Sequence, residues 1–250
     1  MRSIDLNVDL GEGGNEDAAL IALASSANIA CGGHAGDEST MHAAIQAALA
    51  AGVSIGAHPG YEDRENFGRR ALDLPLDEVT ALVARQIARL MDIAASLGAE
   101  VHHVKPHGAL YLQANRDAKL ADAVVESVRK LLPGTAFYVP PGGELAKAGQ
   151  RAGLHVVPEG FVDRPYAETG DLLPRSEPGA VIDDLPTAIA QAKNIALHQR
   201  VISISGNPIP LPAATLCVHG DGFHAAETLR AVRTALEAAG VTIQSPRQFL

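Results

Sequence analysis

The sequence predicts an α/β protein, a single domain over residues 1–250 built as a (β/α) barrel of about seven strands. Three observations lead there. Seven apolar runs of strand length each end in a knot of Gly, Pro and ionisable residues. Stretches with helical periodicity separate most of these runs, as the crossovers of a parallel sheet require. Ionisable residues close almost every run, which suits a ring of strands converging on one mouth better than an open sheet with one switch point. A Rossmann sheet would also need Gly-x-Gly-x-x-Gly after its first strand. The turn here is Gly11-Glu12-Gly13-Gly14, with a carboxylate where a pyrophosphate would lie.

In chain order the seven runs are Ile4–Glu12, Ser26–Asp37, Val53–Tyr61, Val101–Tyr111, Phe137–Glu144, His155–Tyr166 and Thr215–Asp221. The helical stretches fall between them. Asp17–Ala24 is short, and Ser39–Ala51 opens on hydroxyl caps and stops at Gly52. Leu76–Leu97 carries Asp77 and Glu78 in its first turn, where negative charge complements the helix dipole. Asp117–Leu131 ends before Pro133, Glu144–Ala152 before Gly153, and Leu185–His198 follows Asp183 and Asp184. Ala225–Ala239 stops at Gly240 and leads to a last strand-like Val241–Gln244. The segment from Arg200 to Val218 breaks the pattern. There Val201–Ser205 and Leu216–Val218 flank Gly206-Asn207-Pro208, which reads as a hairpin or excursion rather than a crossover.

Composition narrows the function classes. A hydrophobic content of 47% with 20% charged residues is that of a globular protein with a sizeable core, and no apolar run reaches membrane-spanning length. The start of the chain shows no basic patch followed by an apolar stretch, so a cytoplasmic location is expected. A net charge of −9, with no basic cluster beyond Arg69-Arg70, repels nucleic acid. Cys31 and Cys217 are too few to frame a disulfide scaffold and read as two reduced, partly buried thiols.

The chemistry is concentrated at the strand ends. Asp5, Asn7 and Asp9 alternate with apolar residues, so one face of the first strand is polar. Unpaired polar groups are costly to bury, which leaves a polar barrel interior or an exposed edge; the place in the repeat favours the interior. His34 with Asp37 suggests a base and its orienting carboxylate or a ligand pair, although Asp37 could equally cap the following helix. His58 and His219 end other strands. Alternation places His103, Lys105 and His107 on one face, and a lysine aimed into an interior needs an anion. Lys105 is therefore a candidate for a substrate carboxylate, a phosphoryl group or an oxyanion. Glu159 or Asp163 could serve as acid or base, and Arg164 could clamp a carboxylate. Strand-end His and Asp could also bind a divalent metal, but no tight ligand spacing such as His-Glu-x-x-His is present.

Long, unusual strings carry a family resemblance: Asp5–Glu12, Ser26–Asp37 (SANIACGGHAGD), Ile55–Tyr61, Phe67–Arg70, Val104–Tyr111 (VKPHGALY), Asp163–Tyr166 and Cys217–Asp221. The chain resembles the LamB/YcsF family, which supplies the A component of the ATP-dependent bacterial 5-oxoprolinase. The resemblance implies a distorted seven-stranded barrel related to the glycoside hydrolase/deacetylase group. It also implies opening of 5-oxo-L-proline to L-glutamate with ATP hydrolysis, in complex with subunits B and C. Carried over by matching position, the candidate catalytic residues are Asp9, Glu12, His34, Asp37, His58, His107, Asp163, His219 and Asp221. Asn7, Asn28, Lys105 and Arg164 are candidates for substrate binding. The chain departs from the family pattern at Val8, where a cysteine is usual, at Gly33, where a Phe is common, and at Leu112, where an Asn is common. A Gly13–Asp17 loop that looks shortened is a further departure. No Gly-x-x-x-x-Gly-Lys-Ser/Thr loop occurs, so ATP is expected to bind mainly on the partner subunits. Two other readings stand beside the oxoprolinase: a metal-dependent deacetylase or carbohydrate hydrolase, and a non-catalytic subunit that binds a small molecule.

Overall fold

Parallel pairing carries the chain around a closed barrel in the computed structural model, which describes residues 2–220, 222 and 224–246. The strands are β1 (Arg2–Leu10), β2 (Ser26–Ala30), β3 (Ser54–His58), β4 (His103–Val104), β5 (Ala136–Val139) and β6 (His155–Phe161). After them come β7 (Arg200–Ile202), β8 (Pro208–Pro210), β9 (Thr215–Val218) and β10 (Val241–Ile243). Spatial order β1-β2-β3-β4-β5-β6-β9 returns to β1, so seven strands close the ring. β10 pairs in parallel with the first residues of β1, below the ring.

Helices α1 (Asp17–Ile21), α2 (Glu38–Ala51), α3 (Leu76–Ser96), α4 (Gly108–Ala114) and α5 (Ala118–Leu131) cover the first half of the barrel. The second half carries α6 (Glu144–Arg151), α7 (Leu185–His198) and α8 (Ala225–Ala238). Local chemistry explains their starts. The Asp37 carboxylate accepts the Thr40 backbone N–H while the Thr40 hydroxyl accepts that of Asp37, a reciprocal box that opens α2. Asp117 and Asp184 cap α5 and α7 through their own carboxylates. The apolar faces of α3 and α5, including Val83, Ile87, Leu90, Val124 and Val128, pack into one core with outward residues of the strands such as Leu6, Val8 and Ile29. None of the helices among the described residues is long and apolar enough to cross a membrane.

Two local expectations differ from the structure. The hairpin partner of β7 is β8, and Leu216–Val218 belongs to the barrel instead. Prolines at both ends of β8 suit it to a two-stranded excursion but not to a central strand. The stretch after Lys105 is a short turn that leads at once into α4, which starts on His107 as its cap residue. Its seven residues are too few to show a helical period in the sequence.

Register decides what fills the barrel. Asp5 lies opposite Thr215, Asn7 opposite Ser26 and Cys217, Asp9 opposite Asn28, and Glu159 opposite Thr215. The alternating face of β1 therefore indexes three successive polar layers inside the ring. Gly56 faces His103 across β3 and β4, and a Cβ there would overlap the imidazole ring. Only glycine lets that ring lie flat across the interior, where it stacks on Tyr138 at 4.3 Å.

Candidate active site

The lowest layer is built on Asp5, fully buried. Its carboxylate accepts hydroxyl hydrogens from Ser25 at 2.6 Å, Ser26 at 2.8 Å and Thr215 at 2.6 Å. Burial raises its pKa above the ordinary carboxylate range, against the lowering effect of those hydroxyls. In the middle layer the Asn7 amide donates to Glu159 at 2.9 Å and to Thr215 at 2.7 Å. Asn28 donates to the Asn7 carbonyl oxygen at 2.7 Å and to Asp9 at 2.8 Å, and accepts from His103 Nε2 at 2.8 Å. Tyr111 donates its hydroxyl to Glu159 at 2.7 Å. Each side-chain oxygen or amide named in these layers has a partner, which is the condition for burying so many polar groups.

Lys105 heads the third layer. Its ammonium lies 2.9 Å from Asp9, 3.0 Å from Glu159 and 3.0 Å from the Cys217 sulfur. Burial alone would lower its pKa, and the Asp9 carboxylate foremost, with Glu159 behind it, raises it well above the usual value. Burial works likewise to raise Asp9, and Lys105 with His58 outweighs it, so the carboxyl is held well below the ordinary range. The pair is thus a full ion pair, with Lys105 donors already engaged by the protein. Lys105 acts from here by fixing Asp9. Burial pushes the Cys217 thiol well up, so it is a neutral thiol beside this pair.

Above this floor two histidine groups face the mouth. One comprises His34, His58 and His107 around Glu12. The His34 and His107 rings stack at 3.6 Å and 6° between planes, and His58 stands edge-on to both. Loop glycines hold the stack. A Cβ at Gly60 would lie 2.9 Å from His34 Nδ1, and one at Gly68, where φ is +62°, would lie 2.7 Å from His34 Cβ. The other group is His219 with Asp163. Asp163 accepts from His219 Nδ1 at 2.8 Å and from the His219 backbone N–H at 3.0 Å. Burial raises the Asp163 pKa, but the adjoining His219 more than offsets it, leaving the carboxyl below its ordinary value. Held at Nδ1, and stacked on Phe161 at 5.3 Å, the His219 ring is oriented by a carboxylate, as a general base must be.

Asp9, His58, Lys105, His107, Phe161 and His219 line a cavity of about 540 Å³. Arg69, Arg70, Arg164 and Arg175 stand on its walls and rim, so an acidic protein presents a cationic mouth. Arg164 is buried and donates to the Ala180 carbonyl at 2.7 Å and to that of Leu173, pinning the 162–184 loop over the cavity. Burial lowers its pKa to about 10, with Arg175 nearby adding to the effect.

Most sequence-derived candidates therefore converge: Asn7, Asp9, Glu12, Asn28, His34, His58, Lys105, His107, Asp163, Arg164 and His219. Asp37 does not join them. Its side chain is committed to the cap of α2, and the carboxylate beside His34 is that of Glu12, at 3.0 Å. Asp221 lies outside the described residues. Sequence reading passed over Tyr111 as a Glu159 partner, Phe161 as a stacking platform and Arg175 on the rim. The first was legible as the end of the VKPHGALY string; Arg175 carries no local signal.

The buried histidines make stability depend on pH. Burial holds His34 and His107 well below the ordinary imidazole value, and lowers His103 to about 3. These rings stay neutral when folded, whereas the unfolded chain takes up protons as pH falls through about 6.5. The unfolded state then binds more protons, so stability drops as pH falls from about 6.5 toward the depressed folded values. The slope is about 1.4 kcal/mol per pH unit for each such ring. Urea unfolding at pH 7.5, 6 and 5 is expected to show a midpoint that falls steeply below about pH 6.5; a flat midpoint to pH 5 would contradict neutral burial.

The fold is a barrel similar to those of glycoside hydrolases and deacetylases. A deacetylase solved with its substrate matches at TM-score 0.53 and 12% identity over 99% of this chain and 89% of its own. A GH113 β-1,4-mannanase matches at TM-score 0.53 and 11% identity over 95% of this chain and 100% of its own. At such identities the likeness is one of fold. The chain itself belongs to the LamB/YcsF family, whose profile matches residues 4–250. It is similar over 97% of its length to the crystal structure of a lactam utilization protein from Thermus thermophilus, at 42% identity and TM-score 0.89, covering 99% of that chain.

Proposed function

We propose that this protein is the lactam-opening component, component A, of an ATP-dependent 5-oxoprolinase. The observation that carries the reading is the His219–Asp163 dyad beside the Lys105–Asp9 pair, at one end of an arginine-rimmed cavity, in a chain so similar to a lactam utilization protein. A five-membered lactam is a stable amide, so its hydrolysis is coupled to ATP. ATP phosphorylates the amide oxygen and leaves as ADP. His219 takes a proton from water as that water attacks the activated carbon, then returns the proton to the ring nitrogen as the C–N bond breaks. The product of that step is an acyl phosphate. A second water releases phosphate and leaves the new carboxylate of L-glutamate, for a total of two waters and one ATP.

Asp163 holds the His219 tautomer, and Lys105 holds Asp9 ionised on the cavity wall. The cationic rim suits a substrate with a carboxylate and, once activated, a phosphoryl group. ATP binds mainly on partner subunits B and C in this reading, since the chain has no phosphate-cradling glycine loop. The test is reconstitution: the purified chain mixed with subunits B and C should form glutamate from 5-oxoproline plus ATP, and the chain alone should not. No glutamate from the complete mixture overturns the reaction; robust turnover by the chain alone overturns the division of labour.

A further inference from the structure

We infer that Glu12, His58 and His107 form a binding site for one divalent transition-metal ion, of which zinc is the expected occupant, with His34 as the outer partner of Glu12. The inference goes beyond the lactam reading and stands without it. Its root is the placement of protons. His58 Nδ1 lies 2.7 Å from the Lys105 carbonyl, and His107 Nε2 lies 2.9 Å from the Phe67 carbonyl. Carbonyl oxygens only accept, so each of these nitrogens carries the ring hydrogen. The remaining nitrogens, His58 Nε2 and His107 Nδ1, then both bear lone pairs, yet they face each other at 2.9 Å. Two lone pairs at that distance repel unless a cation lies between or beside them.

A proton would serve only that one pair, whereas Glu12 Oε1 faces both nitrogens as well. A metal ion is the better answer. Glu12 Oε1 lies 3.5 Å from His107 Nδ1, 3.8 Å from His58 Nε2 and 3.0 Å from His34 Nε2. One ligand atom from each of Glu12, His58 and His107 falls within 4.8 Å of the others. Bonds of about 2.0–2.1 Å to a tetrahedral zinc separate the ligand atoms by about 3.3 Å, and the observed separations bracket that value. Backbone carbonyls that fix the far nitrogen of ligating histidines are the usual outer support of such sites. The His34 ring lies parallel to that of His107 at 3.6 Å, so no ion can lie in the plane of both; His34 Nε2 instead donates to Glu12 at 3.0 Å and orients that carboxylate. Two imidazoles and a carboxylate suit zinc and its first-row neighbours rather than magnesium or calcium, and leave one position of a tetrahedral ion for water or substrate. His58 and His107 also line the cavity, which gives the ion a path in and places it where it would polarise a carbonyl oxygen or a bound water.

The test reads metal rather than turnover. Chelator-stripped, tag-free full-length protein is titrated with zinc by calorimetry and with cobalt by visible spectroscopy. One equivalent of zinc and the intense absorption of a four-coordinate cobalt centre are expected. His58→Ala and His107→Ala should each weaken zinc binding by about 100-fold or more, whereas His42→Ala, on the exposed face of α2, should leave it unchanged. Glu12→Gln keeps the shape of the site while removing its charge, so it covers the case in which a histidine variant fails to fold. Failure of the wild-type protein to bind a stoichiometric ion, or binding that survives the folded His58, His107 and Glu12 variants, overturns the site. Failure of the reconstituted oxoprolinase assay with metal binding intact would instead tell against the lactam reading alone.

Discussion

Replacing Lys105 with methionine is expected to destabilise the fold by about 3–5 kcal/mol and to abolish turnover in the reconstituted complex. Methionine fills much of the same space but brings no charge. Asp9 and Glu159 would be left as two buried carboxylates, each having lost an ammonium partner at 2.9 and 3.0 Å. Removing one member of a buried ion pair costs far more than the pair itself contributes, because the remaining charge keeps its desolvation penalty. The loss should therefore shrink at mildly acidic pH, where one carboxylate can protonate, and shrink again in the double variant Lys105→Met with Asp9→Asn. Urea unfolding of both variants at two pH values measures this. A Lys105→Met protein as stable as the parent at pH 8 would mean that the floor of the barrel is not held by charge.

His219→Gln is expected to behave in the opposite way, with little change in stability and a loss of about 10²- to 10⁴-fold in kcat. The ring lies at the mouth and is partly exposed, so few packed contacts depend on it. Asp163→Asn should bring a comparable loss, because an amide can donate to Nδ1 and so present the wrong tautomer at Nε2. It should also cost more stability than His219→Gln, since Asp163 accepts the backbone N–H of His219 as well. Unfolding midpoints beside steady-state kinetics separate the two variants. Near-normal kcat in His219→Gln would remove the dyad from the chemistry.

The barrel was legible because each repeat announces itself locally. Period-2 alternation in β1 turned Asp5, Asn7 and Asp9 to one face, and the same rule turned His103, Lys105 and His107 inward. All six are buried, His107 in the mouth above the ring. Helix positions followed from caps and stops, and α7 has the expected bounds of Leu185 and His198. Where a signal was shared between two roles, local reading could not choose. Asp37 fits a cap and an orienting carboxylate equally well in one dimension; backbone geometry settled it as the cap of α2. α4 left too short a trace, and the proline-bounded β8 is paired only through β7.

Sequence alone determined the strand-helix repeat, the inward set of polar residues and membership of the family, since these depend on short-range pattern and on the order of long strings. Tertiary structure decided who meets whom. Glu12 reaches His34 across 22 residues, Lys105 meets Asp9 across 96, and the Asn7 amide finds Glu159 across 152. No local propensity encodes such pairings. They follow from closure of the ring, which sets the register between strands, and from burial, which penalises a polar group left inside without a partner. That same closure turned a row of separate strand ends into one cavity with an ionised floor, clustered histidines and a cationic rim.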